Sequence, residues 1–94
     1  MQYYKQIIFP PRGLPQLLYY RVREQAMRID TVKMDSAGEY ILPYPALPEQ
    51  YDSRGVFNFR VEKLKATAQP VPVSVAEPIF AEYDKKRNGG VSVG

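Results

Sequence analysis

The stretch VFNFRVEKLK, residues 56–65, carries the clearest structural signal in this chain of 94 residues. Its apolar and polar residues alternate, so Phe57, Phe59 and Val61 would share one face of an extended strand. Aromatic and β-branched residues also favour strands over helices. The pattern predicts a core strand at residues 56–65 and a fold built mainly of β-structure.

The residues on the N-terminal side predict further strands. Residues 3–9 are aromatic and β-branched, and the sequence PPRG at 10–13 ends them, which predicts an edge strand followed by a turn. Residues 17–34 are rich in tyrosine and β-branched residues, which predicts two strands with a kink near residues 24–26. A helix over 17–34 stays open, because several apolar residues there also recur at helical spacing.

A turn and a long proline-rich loop precede the central stretch. The sequence DSAG at 35–38 predicts a turn that joins residues 28–34 and 39–42 as a hairpin, since Asp and Ser bond nearby backbone and Gly accepts a positive φ. The loop at 43–55 contains three prolines, which favour extended backbone. Its apolar side chains need a surface to cover, so we expect it to cross over the sheet or to dock on a partner.

The C-terminal third predicts an edge strand and a tail. Residues 70–75 place valines at alternating positions, but Pro70 and Pro72 cannot donate to a ladder, which favours the edge of a sheet. Residues 79–83 predict a last extended piece or a short helix. The charged, glycine-containing residues 84–94 predict a tail that is flexible or ordered by a partner.

Together these patterns predict an all-β fold in one domain. We expect residues 1–83 to form a small sandwich or open barrel of about five to seven strands, crossed by the proline-rich loop and followed by the tail at 84–94. A chain of this length has no room for a large enclosed pocket. Any ligand would therefore meet a groove, a face or a shared interface.

The composition favours contact over catalysis. The chain has no His, Cys or Trp, yet it has eight Tyr and nine Pro. The side chains most often used as nucleophiles, as proton relays at neutral pH and as ligands of transition metals are therefore missing or much reduced, and we expect no enzyme activity, no cofactor and no metal site. The lack of cysteine fits synthesis in the reducing cytoplasm. The sequence also predicts neither a secretion signal nor a membrane-spanning segment.

We expect a non-catalytic structural subunit that docks into a larger, oligomeric assembly of protein subunits, such as a minor capsid or cement-like component of a virion. Rigid prolines lower the cost of ordering a contact segment, and exposed rings and aliphatic side chains supply its anchors. The expected partner-binding residues come from the proline-rich loop, the edge strand and the tail: Tyr44, Leu47, Tyr51, Val71, Val73, Val91 and Val93.

A second reading is a small nucleic-acid-binding β module. Residues 1–33 carry a net charge of +4, against −3 for residues 34–55 and +2 for residues 56–94. Phosphates attract cations and bases stack on exposed rings. The basic and aromatic residues that would form such a surface are Lys5, Arg12, Arg21, Arg23, Arg28, Tyr3, Tyr4, Tyr19 and Tyr20.

Overall fold

The computed structural model describes residues 1–41 and 53–89, with side chains as far as Lys86. A short 3-10 turn, Glu24–Ala26, separates the second strand from the third. The strands and helices, in chain order, are β1 (Gln2–Ile8), β2 (Gln16–Arg23), β3 (Arg28–Met34), β4 (Tyr40–Ile41), α1 (Arg54–Thr67), β5 (Gln69–Pro70) and α2 (Val73–Gly89).

The strands form one antiparallel sheet in the order β4-β3-β2-β1-β5. In its middle, Tyr20 of β2 lies opposite Tyr4 of β1 on one side and Thr31 of β3 on the other. Successive residues of a strand point to opposite faces of a sheet. The neighbours Tyr3 and Tyr4 accordingly belong to two different buried clusters, one on each face.

Each face of the sheet is covered by one helix, which gives three layers. On the face that we call the α2 face, the buried cluster comprises Tyr3, Tyr19, Val32, Ala76, Phe80 and Tyr83. On the opposite face, the α1 face, it comprises Tyr4, Val22, Phe57, Val61 and Leu64. The structure is thus a mixed α/β domain, with a five-stranded antiparallel sheet between two helices.

The prediction of an all-β sandwich or open barrel is therefore wrong in part. The antiparallel sheet is present, but it does not close into a barrel, and helices, not a second sheet, cover its faces. A single sheet with apolar side chains on both faces has to bury each of them against another layer. Here α1 and α2 supply those layers.

The predicted core strand at residues 56–65 is in fact part of α1. The helix buries Phe57, Val61 and Leu64, which recur at intervals of four and three residues and so share one helical face. Phe59 points away from the sheet and is 69% exposed. The side chain of Ser53 caps the helix by accepting a hydrogen bond from the N–H of Val56, at 3.3 Å.

The predictions for the N-terminal part are largely confirmed. Residues 17–34 form strands β2 and β3, separated by the 3-10 turn at the predicted kink, and not a helix. The turn at 35–38 joins β3 to β4, and Gly38 has the positive φ of 83° expected there. However, β1 is not an edge strand, because β5 pairs with it at Tyr4 and Lys5.

The predictions for the C-terminal part need correction. The edge strand is only Gln69–Pro70, and α2 begins at Val73, inside the predicted strand at 70–75. The carbonyl of Pro72 accepts the N–H of Ala76 at 3.1 Å, so this proline starts the helix instead of lining a sheet edge. Residues 84–89 are helical, where the sequence predicted a tail. Residues 90–94 lie outside the described part.

Candidate functional site

The loop between β1 and β2 exposes two large apolar side chains. We call residues 9–15, with the sequence FPPRGLP, the hairpin tip. Phe9 is 75% exposed and Leu14 is 71% exposed. Three prolines restrict the backbone around them. Gly13 has a φ of 94°, a backbone conformation that would be strained for any residue with a side chain. The hairpin tip therefore presents an apolar surface on a restricted backbone.

On the α2 face, a buried carboxylate forms ion pairs with three arginines. The side chain of Asp30 is 7% exposed, and its oxygens lie 2.8 Å from Arg21, 3.3 Å from Arg28 and 3.4 Å from Arg23. Arg21 and Asp30 face each other across β2 and β3. Pairing of this kind offsets part of the cost of removing the charges from water.

Arg21 also connects the sheet to α2. It reaches Asp84 at 3.2 Å, and its guanidinium lies 4.8 Å from the ring centroid of Phe80. Burial by itself lowers the pKa of Arg21, but its hydrogen bonds to Asp84 and Asp30 outweigh burial and raise the pKa above its ordinary value. Arg21 is thus a fixed cation that holds α2 on the sheet, and not a charge that is open to a ligand.

The predicted nucleic-acid surface does not come together as one face of exposed rings. Tyr3, Tyr4 and Tyr19 are buried in the two cores, and Tyr20 is half-buried. Its hydroxyl donates to Gln6 at 3.0 Å. Four of the five basic residues are engaged within the chain, since Arg21, Arg23 and Arg28 surround Asp30, and Lys5 lies 5.8 Å from the ring of Tyr19. Lys5 therefore contacts a ring that belongs to the core. The fifth, Arg12, is exposed on the hairpin tip.

A groove of about 340 Å³ lies between α1 and the sheet. We call it the α1 groove. Its sheet side includes Gln6 and Tyr20, joined by the hydrogen bond given above, and burial raises the pKa of Tyr20 above its ordinary value. The residues that line it are Gln6, Tyr20, Ile29, Thr31, Arg60, Lys63, Leu64 and Thr67.

The sequence predicts neither feature as a site. It predicts a turn at the hairpin tip, but it does not show whether Phe9 and Leu14 are covered. The α1 groove has no counterpart in the predicted fold, because that fold has a strand at residues 56–65 where the structure has a helix. A signal was present, since Arg60, Lys63 and Thr67 recur at the spacing of one helix flank.

Two of the seven predicted partner-binding residues lie in the described ranges. Val71 is half-buried against the core of the α2 face, and its N–H donates to the carbonyl of Tyr3 at 2.9 Å. Val73, in the first turn of α2, is 48% exposed. The other five, Tyr44, Leu47, Tyr51, Val91 and Val93, fall outside the described residues. The role of all seven in partner binding stays a prediction.

Residues 1–41 and 53–89 contain no group of three or more carboxylate, imidazole or thiol side chains placed to hold a metal ion. Within the same ranges, no helix has the length and apolar character needed to cross a membrane. No family model, curated protein or solved structure matches the chain.

Proposed function

We propose that this chain is a non-catalytic docking subunit that attaches to a larger protein assembly through its hairpin tip. The observation that supports this most is the exposure of Phe9 and Leu14 on one short, proline-rich loop. Scattered exposed apolar residues are common on soluble proteins. Two large ones on a restricted loop form a compact anchor of the kind that fits an apolar pocket on a partner.

The energetics of such an anchor are favourable. Burying a Phe or a Leu side chain contributes about 1.5 to 3 kcal/mol. Part of that is normally lost to ordering the loop, at about 1 to 2 kcal/mol for each backbone residue that becomes fixed. Pro10, Pro11 and Pro15 have already restricted the backbone, so less is lost here. The partner that this chemistry fits is a protein with an apolar pocket.

The adjoining surface extends the same apolar character. Ile7, at the end of β1, is 46% exposed and lies two residues before Phe9. Arg12, at the apex of the loop, is exposed. A cation amid apolar side chains suits a pocket with an acidic rim. A minor capsid or cement-like role in a virion is the specific form of this proposal that we favour, since such components fit between larger subunits.

Co-purification with the native assembly tests the proposal. The variant Phe9→Ser with Leu14→Ser removes both anchors, and we expect its recovery with the assembly to fall at least tenfold. A loss of about 3 kcal/mol of apolar burial exceeds the 1.4 kcal/mol that corresponds to a tenfold change in affinity.

The matched control changes two exposed apolar residues elsewhere, Phe59→Ser with Val75→Ser, which are 69% and 51% exposed. We expect this control to be recovered like the wild-type chain. Both variants should keep the wild-type melting temperature, because none of the four side chains is buried. Equal recovery of the tip variant and the wild type would refute docking through the tip.

A further inference from the structure

We propose that the α1 groove binds an acidic segment of the partner protein, in an extended conformation, through two carboxylate side chains separated by one residue. This inference rests on the proposed function in one respect, namely that the partner is a protein. It assigns a ligand class to a second surface, on the α1 face of the sheet.

The charge of the groove selects an anion. Among the described residues that line it, Arg60 and Lys63 are the charged ones, and both are cations. The side-chain amide N–H of Gln6 and the hydroxyl of Thr31 can donate to a carboxylate, whereas the hydroxyl of Thr67 donates to the carbonyl of Lys63 at 2.9 Å and can accept from a peptide N–H. Cations joined by such polar groups bind carboxylates through charge-assisted hydrogen bonds.

The distance between the two cations indicates how far apart the two carboxylates of the ligand should lie. Arg60 and Lys63 are three residues apart on α1, which places their Cβ atoms about 5 to 6 Å apart on one flank of the helix. In an extended segment, side chains two residues apart point the same way and lie about 6.6 Å from each other. Two acidic residues with one residue between them therefore match the two cations.

The size of the groove limits the segment to about three residues. From Arg60 to Thr67 the helix advances about 10 Å, which equals three residues of extended chain. The volume of about 340 Å³ is at the small end of the range for ligand sites. Ile29 and Leu64 give the lining an apolar part that the stems of the acidic side chains can contact.

Two observations favour a protein segment over nucleic acid. A single strand needs exposed rings on which bases stack, and Tyr20, the one ring that lines the described groove, is half-buried with its hydroxyl bound to Gln6. The groove also lies close to the hairpin tip, since Gln6 precedes Phe9 by three residues, about 10 Å of strand. A partner held at the tip can therefore continue into the groove.

A titration of the isolated protein with a short peptide tests this inference. The probe is a capped pentapeptide with the sequence Gly-Asp-Val-Asp-Gly, compared with the same peptide in which asparagine replaces both aspartates. We expect binding in the millimolar range or tighter that weakens as salt is added, with amide NMR shifts at Gln6, Thr31 and Thr67. Asparagine should weaken binding at least threefold.

Variants of α1 show where the peptide binds. We expect Arg60→Gln and Lys63→Gln each to weaken binding threefold to tenfold, and the control Lys65→Gln, an exposed lysine of the same helix that does not line the groove, to leave it unchanged. Equal affinity for the two peptides, equal loss in Lys65→Gln and Lys63→Gln, or tighter binding of a decathymidine strand than of the acidic peptide would overturn the proposal.

The tip variant separates the two proposals. Phe9→Ser with Leu14→Ser should bind the acidic pentapeptide like the wild type, because neither residue lines the groove. If peptide binding fails while the tip variant still loses the assembly, the groove inference is wrong and docking through the tip stands. If the peptide binds and the tip variant keeps the assembly, the reverse holds.

Discussion

At the scale of single residues, Asp30 is the acidic side chain that contacts three arginines in the described part of the chain. Its carboxylate is nearly buried and lies within 3.4 Å of three arginines from β2 and β3. Removing one partner of a buried ion pair leaves the others uncompensated. By contrast, the side chain of Asp84, which contacts Arg21 from α2, is 43% exposed, so water screens that contact.

We expect Asp30→Asn to lower the free energy of unfolding by about 3 kcal/mol, since three arginines would keep their positions without the neutralising charge. Asp84→Asn is the matched control, and it should cost less than about 1 kcal/mol because that contact is solvated. Urea denaturation of both variants measures the difference. Equal costs would show that Asp30 does not organise this cluster.

Because of two tyrosines, the stability of the fold should vary with pH in the alkaline range. Burial raises the pKa of Tyr20 above 10.0, and burial, followed by the nearby Glu82 and Tyr19, raises the pKa of Tyr40. A raised pKa means that the folded state holds the proton more tightly than the unfolded state does. The stabilisation is complete below the unfolded pKa and is lost as the pH rises through the folded value.

We therefore expect the free energy of unfolding to fall from about pH 10 upward. The double variant Tyr20→Phe with Tyr40→Phe should show a shallower fall. Its stability below pH 10 should also be lower, because Tyr40 loses its hydrogen bond to the carbonyl of Ile79. Denaturation at a series of pH values from 9 to 11 measures this, and identical slopes for variant and wild type would contradict it.

At the scale of elements, α1 buries one of two phenylalanines and exposes the other, whereas a strand would place both on the same face. Phe57 is 2% exposed and Phe59 is 69% exposed. We expect Phe57→Ala to cost about 3 to 5 kcal/mol through the cavity it leaves, and Phe59→Ala to change stability by less than about 0.5 kcal/mol. Thermal denaturation of both variants checks this. A similar, large loss of stability in both variants would contradict the helix and support a strand at residues 56–65.

The β-hairpins were predictable because their signals are local. The turn at 35–38 carries its own chemistry, with Asp35 accepting hydrogen bonds from the N–H groups of Ala37 and Glu39 at 2.9 Å. The kink at 24–26 likewise interrupts two runs of strand-forming residues. Neighbouring strands then pair in chain order, which needs no distant information.

The helices were harder to predict because apolar alternation and helical spacing overlap in α1. Phe57 and Val61 satisfy both periods, and Phe59 satisfies alternation alone. Leu64 breaks the alternation and completes the helical pattern, so it is the residue that distinguishes the two. In α2, Pro78 lies inside the helix, where a proline normally argues against one. Packing of Ala76 and Phe80 against the sheet outweighs that preference.

At the scale of the whole molecule, the sheet is a thin layer that depends on both helices. Its tyrosines point alternately to the two faces, so neither helix alone covers them. The same arrangement explains why the α1 groove could not be predicted. Its lining comes from three strands and a helix, and Gln6 and Thr67 meet there from distant parts of the chain. The hairpin tip is covered by neither helix, since Phe9 and Leu14 are exposed.

The central claim, that the hairpin tip docks into a partner protein, is tested most directly by photo-crosslinking from position 9. The chain carries p-benzoylphenylalanine in place of Phe9, or in place of Phe59 as a control, and is irradiated within its native assembly. We predict one covalent adduct with an assembly protein from position 9, suppressed by an excess of wild-type chain and not by the Phe9→Ser with Leu14→Ser variant. The same adducts from both positions, or none from position 9, would contradict the claim.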